Sequence, residues 1–449
     1  MRSRAFSFSF CVDKTHRTTP YQAFLNLTPS QEMSQAIGQP NHLEFESYIS
    51  NYTGRTAIER AIFISKQCNS LEVEALTWAA AEIKKSTRDT EKYSTCIKAL
   101  NVALRTRGQP TVESDQTWIN TTNRENKANI EQLENELKGG KTMLKENTRD
   151  GLNRIGELYH QCGDLANALK SYVRSRDYCS NSEQLLEMCF RVIQVNMDQE
   201  NYTHVSSYVA RAEATPNLPK KDLVQAKLDS CRALVSLHQY EPYVHAANAF
   251  MGVSFEMNNT FNAVLSANDV AMYGTLCALA SYSRQELRNK VLSNSAFKSY
   301  LELEPHMREM IDTFYNSKYA SCLELLESYR NDFLLDIHLA PHIPKLFQLI
   351  REKAMVQYCI PFSTVDLNRM ATAFHTDVAT LQNELTELIG RDRRIAARID
   401  SHQKILYAKK RDQRRRAMKH SMQAGTDYEK SSKALILRLK LLSADMIVK

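Results

Sequence analysis

The stretch LNRIGELYHQCGDLANALKSYVRSRDYC, residues 152–179, reads as two helices joined by a turn. Gly156 and Ala168 are small, so the paired helices can approach closely, and Tyr159 and Tyr172 fill the space beside them. Part of this phrase then recurs. GDLANALKSYV at 163–173 is echoed by ENYTHVSSYVA at 200–210, by HQYEPYVHAANA at 238–249 and by SKYASCLELLE from Ser317. Leu165, Tyr202 and Tyr240 stand 37 and 38 residues apart, and Ala168, Val205 and Tyr243 keep the same offsets. One helix pair cannot bury its apolar face alone, so neighbours stack into a solenoid whose surface serves binding more often than catalysis.

Composition points the same way. Among 449 residues there are 12 Gly and 11 Pro, against roughly 7% and 5% in an average chain, which favours helices joined by short loops. The ten cysteines are scattered and form no C-x-x-C, so neither a zinc ribbon nor a disulfide framework is signalled; Cys162 and Cys179 read as core packing. The apolar run AMYGTLCALASY at 271–282 falls short of the ~20 residues that span a bilayer, so no membrane partner is expected. The N-terminal FSFSFCV lacks a cleavage site and is not read as a signal peptide.

Residues 1–40 show no sustained period and are expected to form an arm. Helical text begins at Leu43 and continues through Ile58, Ile62 and Ser65, then Leu71, Ala75, Trp78 and Ile83. RTRGQPTVESDQTWINTTN reads as a linker before a charged helix that Gly139 and Gly140 would end. The expected divisions are N-terminal helical repeats over 41–139, tetratricopeptide-like repeats over 140–260 and a further domain over 261–420, helical to about 361.

Beyond Pro361 the pattern changes. FSTVDLNRMATAF reads as a helix with Ser363 or Thr364 as N-cap. HTDVATLQNELTELIG reads as a second, with Thr376 as N-cap and Val378, Leu381, Leu385 and Leu388 inward. In RDRRIAARIDSHQKILYAKKRDQRRR, residues 391–416, Ile395, Ala397 and Ile399 alternate as a strand; Ser401, His402 and Gln403 turn the chain, and KILYA returns. Helix, turn, helix and hairpin make a winged helix over 362–410. A terminal helix over 427–448 carries Leu435, Leu439, Leu442 and Met446 on one face and needs a partner surface.

The net charge is +7, yet residues 391–419 alone hold twelve Lys or Arg and three Asp, so the rest of the chain is close to neutral. No catalytic constellation emerges. GGKT at 139–142 lacks the glycine that a phosphate-binding loop needs at 135, where Asn135 stands. His338 and His342 are four apart, but Pro341 and Pro344 interrupt the helix that would pair them on a metal. No metal, cofactor or catalytic residue is expected.

A helical-repeat body running into a winged helix resembles the PCI-domain plan. GELYHQCGDLANALKSYVRSRDYC, HVSSYVARAEATP, NDVAMYGTLCALAS, RQELRNKVLSNSAFKSYLELEP, FYNSKYASCLELLE, LLDIHLAPHI and IDSHQKILYA together resemble the subunit-one family of the COP nine signalosome, over roughly residues 43–449. The resemblance implies an all-α-dominated scaffold in the nucleus and cytoplasm, within a complex that removes Nedd8 from cullins of cullin-RING ubiquitin ligases. It implies other PCI and MPN subunits as partners, one of which carries the isopeptidase zinc site. It further implies winged helices joined edge to edge, which places Ile399, Ile405, Leu406 and Tyr407 at the ring interface, and C-terminal helices gathered in a bundle, which places Leu435, Leu439, Leu442 and Met446 there. The alternatives are the paralogous proteasome lid subunit and a nucleic-acid-binding winged helix. Against the latter, Asp377, Glu384 and Glu387 would meet phosphates on the recognition helix.

Overall fold

The computed structural model describes residues 41–139, 145–216, 221–239, 242–390, 394–409, 413–444 and 446. The arm over 1–40, the GKT of residues 140–142, Tyr240, Glu241, residues 391–393 and 410–412, and Val448 lie outside these. The chain divides into two compact units, Met1–Arg351 and Glu352–Lys449.

The first unit is helical throughout its described residues. It opens with α1 (Phe45–Ser50), α2 (Arg55–Gln67), α3 (Glu72–Ser86), α4 (Thr90–Thr106) and α5 (Gln116–Gly139). Ile58, Leu76, Ile83, Tyr93, Ile97 and Leu100 form one buried cluster, with Trp118 and Ile119 against it. The linker is therefore shorter than its composition suggests. Asp115 accepts from the Trp118 N–H at 3.1 Å and from Lys84 Nζ at 2.9 Å, which starts α5 seven residues before the expected Asn123. The Trp118 ring meets Tyr93 edge to face at 5.1 Å.

The repeats are α6 (Lys145–Cys162), α7 (Leu165–Ser175), α8 (Ser182–Asp198), α9 (Tyr202–Glu213), α10 (Lys221–His238) and α11 (Tyr243–Gly252). A Cβ on Gly156 would stand 2.6 Å from the Tyr172 ring, so α6 and α7 touch as closely as the sequence implies. The turn between paired helices is a recurring device. Gly163, Glu200 and Ser317 all have left-handed φ, of 88°, 56° and 63°. The next N–H in each case reaches back five residues: Asp164 to Tyr159 O, Asn201 to Asn196 O and Lys318 to Thr313 O, each 2.9 Å. This six-to-one bond closes the preceding helix. Asp164 and Asn201 then cap the next one, accepting from the N–H groups of Asn167 and His204.

From each turn, the first, fourth and eighth helical residues face inward. Leu165, Ala168 and Tyr172 are matched by Tyr202, Val205 and Val209, and by Tyr319, Cys322 and Leu326; of these only Leu165 and Tyr202 are half-buried rather than buried. The third echo corrects the expected offsets. Its helix begins after Pro242, so Tyr243, Ala246 and Phe250 occupy the three positions, and the register lies three residues later than Tyr240 and Tyr243 would set it. Pro supplies no N–H and favours the first turn, which fixes the start.

The unit continues with α12 (Ala267–Ser281), α13 (Ser295–Leu303), α14 (Pro305–Tyr315), α15 (Tyr319–Ser328) and α16 (Arg330–Leu334); α17 (Ile343–Cys359) contains the boundary between units. The N-terminal helices fold against these late elements rather than beginning an open stack. Asn41 Nδ2 donates to Ser328 O at 2.8 Å, and the Asn41 and His42 N–H groups donate to Asp332. Deeper, the buried Arg60 guanidinium of α2 pairs with Asp269 at 3.1 Å and with Asp336. Asp269 also closes the capping box of α12 with Ser266 and accepts from Tyr52 Oη at 2.6 Å. Asp336 accepts from Tyr273 Oη and from the N–H groups of His338 and Leu339. The Tyr52 ring covers the guanidinium at 4.1 Å.

Burial pushes the Asp336 carboxyl up, but Arg60, His338 and Tyr273 outweigh it and hold it down at about 2. Beside it, His338 bonds to His238 at 3.0 Å, and His342 bonds to Tyr243 Oη at 3.2 Å. Burial lowers His238 to about 4, helped by His342, and lowers His342 to about 4. His338 is lowered to about 3 by burial and by Arg60, against Asp336. His338 and His342 are thus neutral packing groups of this cluster, and among the described residues no set of three or more His, Cys, Asp or Glu could hold a metal.

Two expectations follow. Gly156→Ala should lower stability by about 1–3 kcal/mol, the usual cost of overpacking. Ser317→Gly should raise it by up to about 1.6 kcal/mol, because relief of the left-handed penalty (~1–2 kcal/mol) offsets or exceeds the added freedom of the unfolded chain (~0.4–1 kcal/mol). Urea unfolding followed by circular dichroism reads both. The same measurement from pH 7.5 to 4.5 tests the histidines. Unfolded imidazoles take up protons near the ordinary 6.5, whereas the folded ones do so only near 4 or below. The unfolded state therefore binds more protons in between, so stability is full above about 6.5 and falls progressively as pH drops toward 4. A flat profile would contradict this assignment.

Candidate functional sites: the wing sheet and the terminal helix

The second unit holds β1 (Thr364–Asp366), α18 (Leu367–Ala373), α19 (Val378–Gly390), β2 (Ala397–Asp400), β3 (Ile405–Ala408) and α20 (Gln413–Ser443). Three residues expected inside or capping a helix instead make a strand. TVD pairs with β3, Val365 standing opposite Leu406, and α18 starts only at Leu367, capped by Asp366, whose carboxylate accepts from the Asn368 N–H at 2.9 Å. Neither Ser363 nor Thr364 is the cap. Likewise Asp377, rather than Thr376, meets the first turn of α19 by accepting from the Ala379 N–H at 3.3 Å.

The sheet order is β1-β3-β2. The expected two-stranded hairpin is present, with Ile399 opposite Leu406 and Asp400 opposite Ile405. Its turn is an Asx turn in which the Asp400 carboxylate accepts from the N–H groups of His402 and Gln403. The third strand changes which groups are exposed. β3 is central, so the backbone of Ile405, Leu406 and Tyr407 is paired on both sides and offers no open edge. The edges are β1 and β2, and of the four wing residues singled out only Ile399 lies on one.

Burial divides the four further. Leu406 is 1% exposed and stands opposite Val365, itself 5% exposed, so it supports the wing from within and presents no surface. Ile399, Ile405 and Tyr407 are half-buried. Tyr407 Oη donates to Gln403, and the Arg398 guanidinium lies 5.6 Å from its ring. Ile360 and Phe362, just before β1, are exposed at 74% and 49%; only their isolated apolar character in CIPF could have singled them out.

The terminal helix differs more from expectation. α20 runs 31 residues from Gln413, absorbing Arg414, Arg415, Arg416 and Lys419, which lie before the expected helix start at 427, and passing through Gly425 without interruption. Between 414 and 444 its side chains are exposed except for half-buried Ser432 and Leu441. Leu435, Leu439 and Leu442 are 60%, 57% and 68% exposed, and Met446, beyond the helix end at Ser443, is 59% exposed. Ile436 and Leu437 are also exposed, as are Met418, Met422 and Tyr428. The apolar surface thus wraps more of the last three turns than a single stripe, and a second, sparser patch lies among the arginines.

Asp377 and Glu387 are exposed and Glu384 half-buried on α19, so the helix that would enter a nucleic-acid groove carries carboxylates. Arg394 pairs with Glu352 at 2.9 Å. No described helix is long and apolar enough to cross a membrane.

Two family models match the chain: "26S proteasome subunit RPN7" over residues 115–290 and "PCI domain" over residues 326–410. The COP9 signalosome complex subunit 1 of Arabidopsis thaliana is 41% identical over 90% of both chains. That of Emericella nidulans is 38% identical over 90% of this chain and 83% of its own. Subunit 1b of Drosophila melanogaster is 34% identical over 94% of this chain and 89% of its own.

Proposed function

We propose, from the premise that this chain belongs to the COP9 signalosome subunit 1 family, that it is a non-catalytic scaffold of a complex that removes Nedd8 from cullins of cullin-RING ligases. The observation that carries the reading is α20, a helix whose apolar residues, apart from half-buried Leu441, are exposed. Burying a leucine contributes about 1.5–3 kcal/mol, so the four stripe residues supply on the order of 10 kcal/mol. Association costs about 4–15 kcal/mol. One helix contact is therefore marginal, and stable assembly needs several helices together with the wing. That combination favours a bundle of C-terminal helices from several PCI and MPN subunits, joined to winged helices that meet at sheet edges.

On this reading Leu435, Leu439, Leu442 and Met446 enter the bundle. Ile399 lies on an edge strand, and Ile405 and Tyr407 line the same sheet. The isopeptidase zinc belongs to another subunit, and the chain works in nucleus and cytoplasm.

A nucleic-acid reading has the arginines of α20 in its favour, and such binding would fall steeply with salt. The carboxylates on α19 oppose groove entry, and the scaffold reading accounts for the leucines as well as the charge.

Leu439→Asp combined with Leu442→Asp should abolish co-purification of the other subunits while the repeats keep their helical circular dichroism. Unchanged co-purification would remove the bundle role. The isolated chain should leave a Nedd8-modified cullin uncleaved, and turnover by it alone would overturn the non-catalytic assignment.

A further inference from the structure

α20 carries two exposed apolar patches, the leucines near its end and Met418, Met422 and Tyr428 nearer the arginines. Helix geometry joins them. Leu435, Leu439 and Leu442 are separated by four and three residues, and the same alternation carried toward the N-terminus gives Ser432, Tyr428, Gly425, Ser421 and Met418 before it ends at Arg414. A spacing that averages 3.5 residues keeps side chains on one side and marks a seam that packs against other helices. This seam occupies residues 418–442, about 37 Å of helix.

What stands beside the seam sets the number of neighbours. In a two-stranded coiled coil the flanking positions often carry charges. Here one flank is Ala417, Ala424 and Ser431, and the other is Met422, Glu429 and Ile436. The carboxylate of Glu429 is held by Lys433 at 2.6 Å. A strip this wide and this poor in charge is what a helix buries when neighbours lie on both sides of the seam. The lysines stand elsewhere. Lys419, Lys433 and Lys440 share a seven-residue register with Thr426, in a row away from the seam.

Gly425 is a notch in this surface. No atom lies within 4 Å of the point where its Cβ would stand. In the free chain it packs on nothing and weakens the helix, because glycine is the poorest helix former after proline. Against another helix it has a use: the missing side chain lets one bulky group of the neighbour enter, as a knob enters a hole.

We infer that α20 docks along the whole seam between two amphipathic helices of other subunits, and that one of them places a bulky apolar side chain at Gly425. The seam runs on from the leucine stripe without a break, so one kind of occupant covers both patches. A nucleic acid would take the lysine row and leave the seam uncovered. The inference rests on the bundle reading and extends it from the last leucines into the arginine-rich half of the helix.

Gly425→Leu, Thr426→Leu and the double variant Leu439→Asp with Leu442→Asp would each be made in the full chain and co-expressed with the other subunits. Recovery of the complex would be measured, along with the circular dichroism and Tm of the chain alone. Gly425→Leu should leave the chain alone as helical as before, with no lower Tm, because the space around residue 425 is open. It should nevertheless cut recovery of the complex by roughly tenfold, as overpacking of a closed contact does. Thr426→Leu places the same side chain one residue on, in the outer row, and should be recovered normally. Normal recovery of Gly425→Leu, equal loss in both leucine variants, or a lower Tm of the Gly425→Leu chain would each overturn the inference. So would a homodimer of the unaltered chain that Gly425→Leu dissociates while the complex still forms, since the occupant would then be a second copy. If the double variant loses its partners and Gly425→Leu keeps them, the bundle stands and the notch falls; if the double variant assembles normally, both fall.

Discussion

One guanidinium between two carboxylates sets the terms for the whole first unit. Arg60, Asp269 and Asp336 are all buried, and they come from a helix near the start of the described chain, a helix in its middle and a turn near the end of the unit. Desolvating three charges is favourable only when geometry and hydrogen bonding are nearly complete. The surrounding tyrosines, the capping box of α12 and the backbone N–H groups of His338 and Leu339 supply that completeness. The triad contributes less to net stability than its contacts suggest. Its larger effect is to penalise any arrangement of the repeats that leaves one of the three unpaired, since a lone buried charge costs several kcal/mol.

This is also the part of the fold least legible in the sequence. Arg60 sits in AIERAIF as one charged residue among apolar ones, and nothing local distinguishes it from a solvated helix position; its partners lie 209 and 276 residues away. Local chemistry read well by contrast. Gly156 beside Tyr172 and the two-stranded hairpin that ends in KILYA follow from residue size and period-two alternation. Where the reading slipped, a short-range signal competed with a tertiary one. TVD looks like a helix cap because Asp366 is one, yet β3 recruits the two residues before it as a strand. RRRAMK falls between the expected wing and the expected terminal helix, yet it belongs to the start of one helix that runs on through Gly425. The third echo slipped because Pro242 resets the helix start. Of the candidate site residues, the exposure of the leucines could be read from their position on an amphipathic terminal helix, whereas the burial of Leu406 depended on a strand that was not foreseen.

The two units use polarity in opposite ways. In the first, the guanidinium of Arg60 is buried against two carboxylates, and burial keeps His238, His338 and His342 from protonating. In the second, twelve basic residues crowd the wing and the start of α20, and three of them, Arg414 to Arg416, occupy a first helical turn where the backbone dipole is already positive. A helix so arranged is electrostatically strained at its N-terminus and hydrophobically unsatisfied at its C-terminus. Both strains are relieved by neighbours, one by anionic groups and the other by apolar ones.

The strand order of the wing has a consequence for symmetry. With β3 in the middle, the sheet ends in two unlike strands: a three-residue β1 preceded by exposed Ile360 and Phe362, and a four-residue β2 bearing Arg398 and Asp400. Contacts that use one edge on each side are head to tail. Between identical copies such contacts either close into a ring or run on as a filament, and only distinct end members can stop them. A short row of fixed length built from such contacts therefore calls for neighbours that differ from one another.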